Sequence, residues 1–327
     1  MTLARPLCLL GLGVLAACSR TPSSQDSLSI GVNSRATNAF ICLVEKGSKG
    51  KSKRWKSVLL DRTERGLRDL ADRKIDVAIS APPTFFKYAI QHPEQAQDFR
   101  IIAGINNIQN TFAVVSPKRS GIRVVKDIRS RKLGHLGDIV DFFKTYFFLT
   151  EGINETSIQQ TTFANYDSLM KALESGTVDA AIVSDEISRR LDANRYTIFY
   201  SSVHEITSQV IVRRELIERE ADTLSDFLEA LISTEKELYL DLNEGLAKLK
   251  TCFPDSHEEI LKELLQRREL RVLVDESLRA QYNLYKKWIM ARGEYRPQMA
   301  EIRKFNVTDY IDASLLRNVD YRRVLLK

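Results

Sequence analysis

The chain carries no HExxH, no GxSxG and no glycine-rich phosphate loop, and His92, His135, His204 and His257 stand at no metal-ligand spacing. These absences leave no catalytic residue, no metal and no cofactor to assign, and the sequence reads as that of a non-enzyme. His135 and His204 lack a neighbouring nucleophile and read as structural histidines. Cysteine is scarce: Cys8, Cys18, Cys42 and Cys252 form no CxxC pair, which argues against a zinc ribbon or a thioredoxin-type motif. Beyond residue 17 no apolar run approaches the ~20 residues of a transmembrane helix, so the rest of the chain reads as soluble. Charge of one sign is not segregated either. The formal charge of +6 is spread among interleaved acids. The one basic knot, "KGSKGKSKRWK" over Lys46–Lys56, reads as a solvated loop, and no nucleic-acid partner is expected.

What is present begins at the amino terminus. Arg5 precedes an apolar run from Leu7 to Ala17, too short to span a bilayer and of the length of a signal-peptide core. Leu15-Ala16-Ala17-Cys18 resembles a bacterial lipobox. The expectation is a signal peptide over 1–17, a lipid anchor on the Cys18 thiol, and a Ser/Pro-rich tether over 18–27. The mature protein would then sit in the bacterial cell envelope, facing the periplasm or the exterior, with the lipid as its only membrane contact. With Cys8 cleaved and Cys18 acylated, Cys42 and Cys252 remain in an oxidising compartment. A disulfide between them is permitted, although their separation in space is not readable from the sequence.

Along the chain, strand and helix patterns alternate: "LSIGVN", "WKSVLL", "IDVAIS", "FRIIAGIN" and "TFAVVSPK" are strands with helical stretches among them. After a glycine-bearing turn at "SGIRVVKDIRSRKLG" the alternation resumes with strands at Lys132–His135, "IQQTTF", "VDAAIV", "YTIFYS" and "TSQVIVRREL", and everything beyond reads as helical. The pattern predicts α/β architecture with sheets flanked by helices. One phrase occurs twice. "DRKIDVAISAPP" aligns without a gap on "SGTVDAAIVSDE", so that Ile75, Asp76, Ala78 and Ile79 match Val178, Asp179, Ala181 and Ile182 at an offset of 103 residues. Two similar α/β lobes, each presenting a turn after the same strand, would produce this echo.

The order "LSIGV", "GLRDLADRKIDVAIS", "SGIRVVKDIRSRKLG", "LMKALESGTVDAAIVSDE" and "VTDYIDASLLRNV" resembles the substrate-binding lipoproteins of bacterial ABC importers, in the nitrate, sulfonate, taurine and pyrimidine-precursor group. The resemblance implies a two-lobe periplasmic-binding-protein fold of the second type, with mixed or parallel sheets and a helical C-terminal segment. It divides the chain into lobe one over 28–116 and 207–327 and lobe two over 121–203, with hinge crossings near Ser116–Ile122 and Val203–Thr207. It also implies a monomer that binds a small molecule, closes by hinge motion and delivers its ligand to an ABC transporter permease. An enzyme on the same fold and a sensory or accessory lipoprotein are the rival readings.

In such a scaffold ligands meet the turns after parallel strands, where helix N-termini expose backbone N–H groups. The candidate ligand-binding residues are Asn33, Ser34, Arg35 and Asn38 after the first strand, and Ser80, Thr84 and Phe85 after the third. Asn107 adds an amide; Asp138 and Phe142 follow the crossover strand, and Ser184 and Asp185 follow the echoing strand. Asn33, Ser34 and Asp138 equally suit helix caps, and Phe85 and Phe142 equally suit a core. Where that group places a small hydroxyl residue, this chain has Asp138, and "SAPPTFF" replaces a more open turn. An acid at a helix start competes with an anion for the same N–H donors. A ligand with an amine, an amidine or an aromatic ring therefore suits the site better than a bare oxyanion.

Overall fold

The computed structural model describes residues 27–32, 39–47, 54–60, 63–109, 112–137, 139–200, 205–254, 256, 258–268 and 270–326. Cys18, the signal segment and the tether up to residue 26 lie outside them, and Ser27, the last residue of the expected tether, already stands in the first strand. In chain order the strands are β1 (Ser27–Val32), β2 (Arg54–Leu59), β3 (Val77–Ser80), β4 (Phe99–Gln109), β5 (Phe112–Pro117), β6 (Lys132–His135), β7 (Gln159–Thr162), β8 (Ala180–Ser184), β9 (Tyr196–Tyr200), β10 (Glu205–Arg213), β11 (Val272–Asp275) and β12 (Val324–Leu325). The α-helices are α1 (Ala39–Gly47), α2 (Thr63–Ala71), α3 (Pro82–Gln91), α4 (Pro93–Ala96), α5 (Ile139–Thr150), α6 (Tyr166–Ser175), α7 (Asp185–Arg189), α8 (Arg214–Arg219), α9 (Ala221–Leu240), α10 (Leu242–Cys252), α11 (Glu258–Gln266), α12 (Glu276–Met290), α13 (Met299–Lys304) and α14 (Ser314–Val319). None of the described helices is long and apolar enough to cross a membrane.

Two sheets result. The first runs β12-β11-β4-β10-β3-β1-β2 and the second β7-β6-β8-β5-β9. In each, a central strand pairs parallel on one side and antiparallel on the other: β3 lies between β1 and β10, and β8 lies between β6 and β5. The echoing phrases occupy these two central strands, and the equivalence extends well beyond them. Gly31 faces Ala78 as Gly134 faces Ala181, and Ser29 faces Lys56 as Lys132 faces Gln159, all at the same offset of 103. The Leu60 N–H donates to the Val32 carbonyl at 2.7 Å, and the Phe163 N–H to the His135 carbonyl at 2.8 Å.

The turn before each central strand is locked in the same way. The Asp76 N–H donates to the Ser29 carbonyl at 2.9 Å, while the Asp76 carboxylate accepts from the Ser29 N–H at 2.9 Å. Asp179 does the same to Lys132, at 2.8 and 2.9 Å. Both preceding helices stop at a left-handed residue, Arg73 (φ 62°) after α2 and Gly176 (φ 80°) after α6. Glycine reaches that conformation freely, whereas arginine is strained there. Gly31 and Gly134 are required by close packing, since a Cβ would meet Ile75 at 2.6 Å in the first case and Leu169 at 2.4 Å in the second.

Packing separates the sheets. One continuous core joins β1–β4 and β10 to α9, α11, α12 and α14, while the second sheet carries a core on each face. The C-terminal helices thus pack on lobe one. A disulfide, Cys42–Cys252, with its Cα atoms 6.1 Å apart, ties α1 to α10 across 210 residues of sequence.

Three expectations are corrected. The boundary after Ser116 assigns Phe112–Ser116 to lobe one, yet β5 pairs with β8 and β9 in the second sheet. A wholly apolar strand suits either sheet, so its pattern alone does not say which. The C-terminal part is not entirely helical, because β11 adds to the edge of β4 and β12 to β11. The helical reading is also not continuous over 221–252, being broken at Asp241, whose carboxylate caps α10 by accepting from the Asn243 and Glu244 N–H groups.

Candidate functional site

The carboxyl ends of β3 and β8 lead directly into α3 and α7. At the common offset the cap residues are Ala81 and Ser184, in matching extended conformations with ψ of 153° and 155°. Ser80 is therefore equivalent to Val183, not to Ser184. It points to the other side of its strand, almost fully buried, with its hydroxyl 3.4 Å from the Ala81 carbonyl. The Ser184 and Thr84 hydroxyls make no hydrogen bond among the described residues, so each turn retains a small donor and acceptor. Ala81 packs against the second lobe's core, which contains Phe112, the ladder partner of Ser184; this brings the two turns toward each other.

Neither turn is built for an anion. Pro82 and Pro83 fill the first positions of α3 and remove two of the N–H groups that a helix start normally offers. Asp185 opens α7, with one carboxylate oxygen paired to Arg189 at 2.8 Å and the other buried without a partner among the described residues. Burial raises its pKa above the ordinary carboxylate value, with Arg189 opposing the rise.

Phe85 is enclosed in lobe one, edge-on to Tyr310 at 5.2 Å and to Tyr282 at 6.3 Å, and serves the core. Phe142 in α5 is buried against lobe one's α12, 4.1 Å from the Tyr285 ring and 5.4 Å from the Trp288 ring. Asn107 stands in β4 opposite Thr207. Asn33, Ser34, Arg35, Asn38 and Asp138 lie outside the described residues.

Further groups appear that the sequence reading did not single out. Beside Phe142, the Arg292 guanidinium lies 4.8 Å from the Trp288 ring and donates to the Thr145 hydroxyl of α5 at 3.3 Å. A second bridge between the lobes is ionic, from Arg189 of α7 to Glu263 of α11. Within lobe two, Lys144 is almost fully buried and pairs with Asp141 at 3.1 Å and Glu155 at 2.9 Å. His135, at the end of β6, accepts from the Gly137 N–H at 3.1 Å through Nδ1 and lies 3.5 Å from Asp141. Burial and the Lys144 charge hold His135 below its ordinary pKa. Burial pushes Glu155 up, but the Thr145 hydroxyl and Lys144 more than offset it and leave it below the usual value. A lysine inside the aromatic run "DFFKTYFF", three residues after an acid, was the available signal for this cluster. Gln209 is buried opposite Ser80; its side-chain oxygen accepts from the Tyr282 hydroxyl at 2.8 Å, and its amide nitrogen finds no partner among the described residues.

Residues 63–237 match a family model described as NMT1/THI5 like. No curated protein matches the chain in sequence. Among solved structures it is similar to the periplasmic aliphatic sulphonate-binding protein SsuA of Escherichia coli, at 15% identity and a TM-score of 0.69 over 86% of this chain and 91% of that one. It is also similar to the alkanesulfonate-binding protein SsuA of Xanthomonas axonopodis pv. citri bound to MOPS, at 12% identity and 0.65 over 92% and 99%. The periplasmic nitrate-binding protein NrtA of Synechocystis PCC 6803 follows at 9% identity and 0.61 over 91% and 89%. At these identities the likeness establishes the fold, that of two-lobe periplasmic binding proteins.

Proposed function

Because the chain belongs to the NMT1/THI5-like family, we propose that it is a solute-binding protein that closes two lobes over a small organic ligand and delivers it to the permease of an ABC importer. The observation that carries this reading is the equivalence of the turns after β3 and β8, each at the end of a buried central strand and each with a hydroxyl, Thr84 or Ser184, that is unbonded among the described residues. Residues 27–109 with 205–326 form one lobe and residues 112–200 the other, and the contacts from α5 to α12 and from α7 to α11 are those that part on opening. The ligand meets Thr84, Ser184 and Asp185, with Asn33, Ser34, Arg35, Asn38 and Asp138 from the remaining turns. The prolines of α3 and the acid of α7 favour a molecule with an amine, an amidine or an aromatic ring over a bare oxyanion. The protein acts as a monomer held outside the cytoplasm by a lipid on Cys18 and catalyses no reaction.

A thermal-shift screen of amines, pyrimidines, amino acids, sulfonates, nitrate and sulfate tests the reading. A compound of the first three classes should raise the melting temperature, and Thr84→Ala and Asp185→Ala should weaken its binding while leaving the melting temperature of the free protein nearly unchanged. Tight binding of nitrate or sulfate overturns the ligand class, and variants that unfold without losing affinity overturn the paired turns. Fatty-acid-analogue labelling that is equal in wild type and Cys18→Ala removes the anchor.

A further inference from the structure

Lobe one holds a second concavity, about 430 Å³ in volume, between the end of α1, the start of β2 and helices α9 and α10. In a parallel β-α-β unit the end of the helix and the start of the next strand lie at the sheet edge opposite the strands' carboxyl ends. This concavity is therefore remote from the turns after β3 and β8. Its volume falls within the range of small-molecule sites.

Leu43, Val44 and Leu238 give it apolar walls, and Trp55, only 3% exposed, forms another against Phe227, with ring centroids 5.3 Å apart. The Trp55 indole N–H is buried and has no acceptor among the described residues. A buried donor without a partner is costly, and an acceptor carried in by a ligand would satisfy it. At the rim, the Lys46 ammonium bonds a neutral group among the described residues, the Thr251 carbonyl, while Glu237, which also lines the concavity, is paired with Lys248 at 2.9 Å. The frame is rigid, because the residues beside Leu43 and Thr251 are Cys42 and Cys252, joined by the disulfide.

We propose that this concavity is a second binding site, for a small monocarboxylate with an apolar body. The body packs on Leu43, Val44 and Leu238, and the carboxylate meets Lys46 and offers an acceptor to Trp55. The lobe must be oxidised for the site to hold its shape, so occupancy reports the state of the bridge.

Calorimetry on the full-length oxidised protein with sodium phenylacetate as the probe tests this, with benzylamine as the charge-reversed control. Phenylacetate should bind saturably and benzylamine should not. Lys46→Met and Trp55→Phe should each weaken phenylacetate by about ten- to a hundredfold, the loss expected for one hydrogen bond to a charged group. Ala230→Leu, which fills the concavity, should abolish binding, as should Cys42→Ser with Cys252→Ser. Should Trp55→Phe fail to fold, the Lys46 and Ala230 variants decide the matter. Absence of saturable binding overturns the proposal, as does binding that Ala230→Leu leaves unchanged or that benzylamine reproduces.

Discussion

The two lobes share one β-α-β-α-β unit and differ in what is added to it. Residues 29–80 and 132–183 run in step without a gap through strand registers, turn clamps and left-handed helix stops. Lobe two adds little: β5 and β9 complete its sheet, and it is one uninterrupted stretch of chain. Lobe one gathers β10, β11, β12 and seven helices from the far end of the sequence and fastens them with a disulfide. The shared part builds the strand ends from which the two matching turns leave. The added part supplies stability, and through α11 and α12 it supplies the surface that meets the other lobe.

The largest expected difference lies in the bridge. Reduction, or Cys42→Ser with Cys252→Ser, should cost about 2–5 kcal/mol, because the closed loop is long. Differential scanning calorimetry should then show lobe one melting first and lobe two nearly unmoved. If both lobes shift together, they unfold as one unit and the division into separately stabilised lobes fails. Next are the paired core positions: Ile79→Ala and Ile182→Ala should each cost about 2–5 kcal/mol by opening a cavity. Denaturant titration should place Ile182 higher, since it is completely buried while Ile79 is 8% exposed. Equal or reversed costs would separate the two sites in packing despite their common register.

The turn clamps give a smaller effect. Asp179→Ala should cost about 0.5–1.5 kcal/mol by removing the exposed hydrogen bond from the Lys132 N–H. Asp76→Ala should cost more in the same titration, because that carboxylate also bonds the Ser29 hydroxyl at 2.7 Å and lies 3.6 Å from Arg213. The smallest effect distinguishes the lobes by pH. His135 stands where lobe one has Val32. Its folded pKa is lowered, so its contribution to stability is complete above the ordinary value of about 6.5 and is lost as pH falls through the folded value. His135→Gln should therefore flatten the acid side of the lobe-two melting curve and leave lobe one unaffected. An unchanged acid limb would exclude His135 as the group that titrates.

The α/β class, the two-lobe organisation and the pairing of Ile75–Ile79 with Val178–Ile182 were legible because buried central strands keep small apolar side chains in both lobes. The remainder of the repeat was not, since it resides in backbone bonds that constrain side-chain identity weakly. Ser29 and Lys132 donate the same N–H, and Arg73 and Gly176 adopt the same left-handed turn, with nothing alike in the letters. The turns that carry Thr84, Ser184 and Asp185 were legible because a helix start directly after a strand is a local signal. The Arg189–Glu263 pair, the packing of Phe142 on α12 and the disulfide join positions far apart in sequence, which no local pattern records. The edge strands β11 and β12 escaped because four and two residues are too few to show a period.

The 210 residues between Cys42 and Cys252 also impose an order in time. As the chain emerges, Cys42 appears early and its partner only after the whole of lobe two has been made. Lobe two, continuous from β5 to β9, can complete its sheet while lobe one still lacks three of its strands. Throughout that interval Cys42 is a lone thiol, open to attack on any passing disulfide or on another copy of itself. The bridge that fastens lobe one can thus close only once residue 252 has been made. Mispaired dimers through Cys42 are the signature of molecules in which synthesis or export stopped before residue 252.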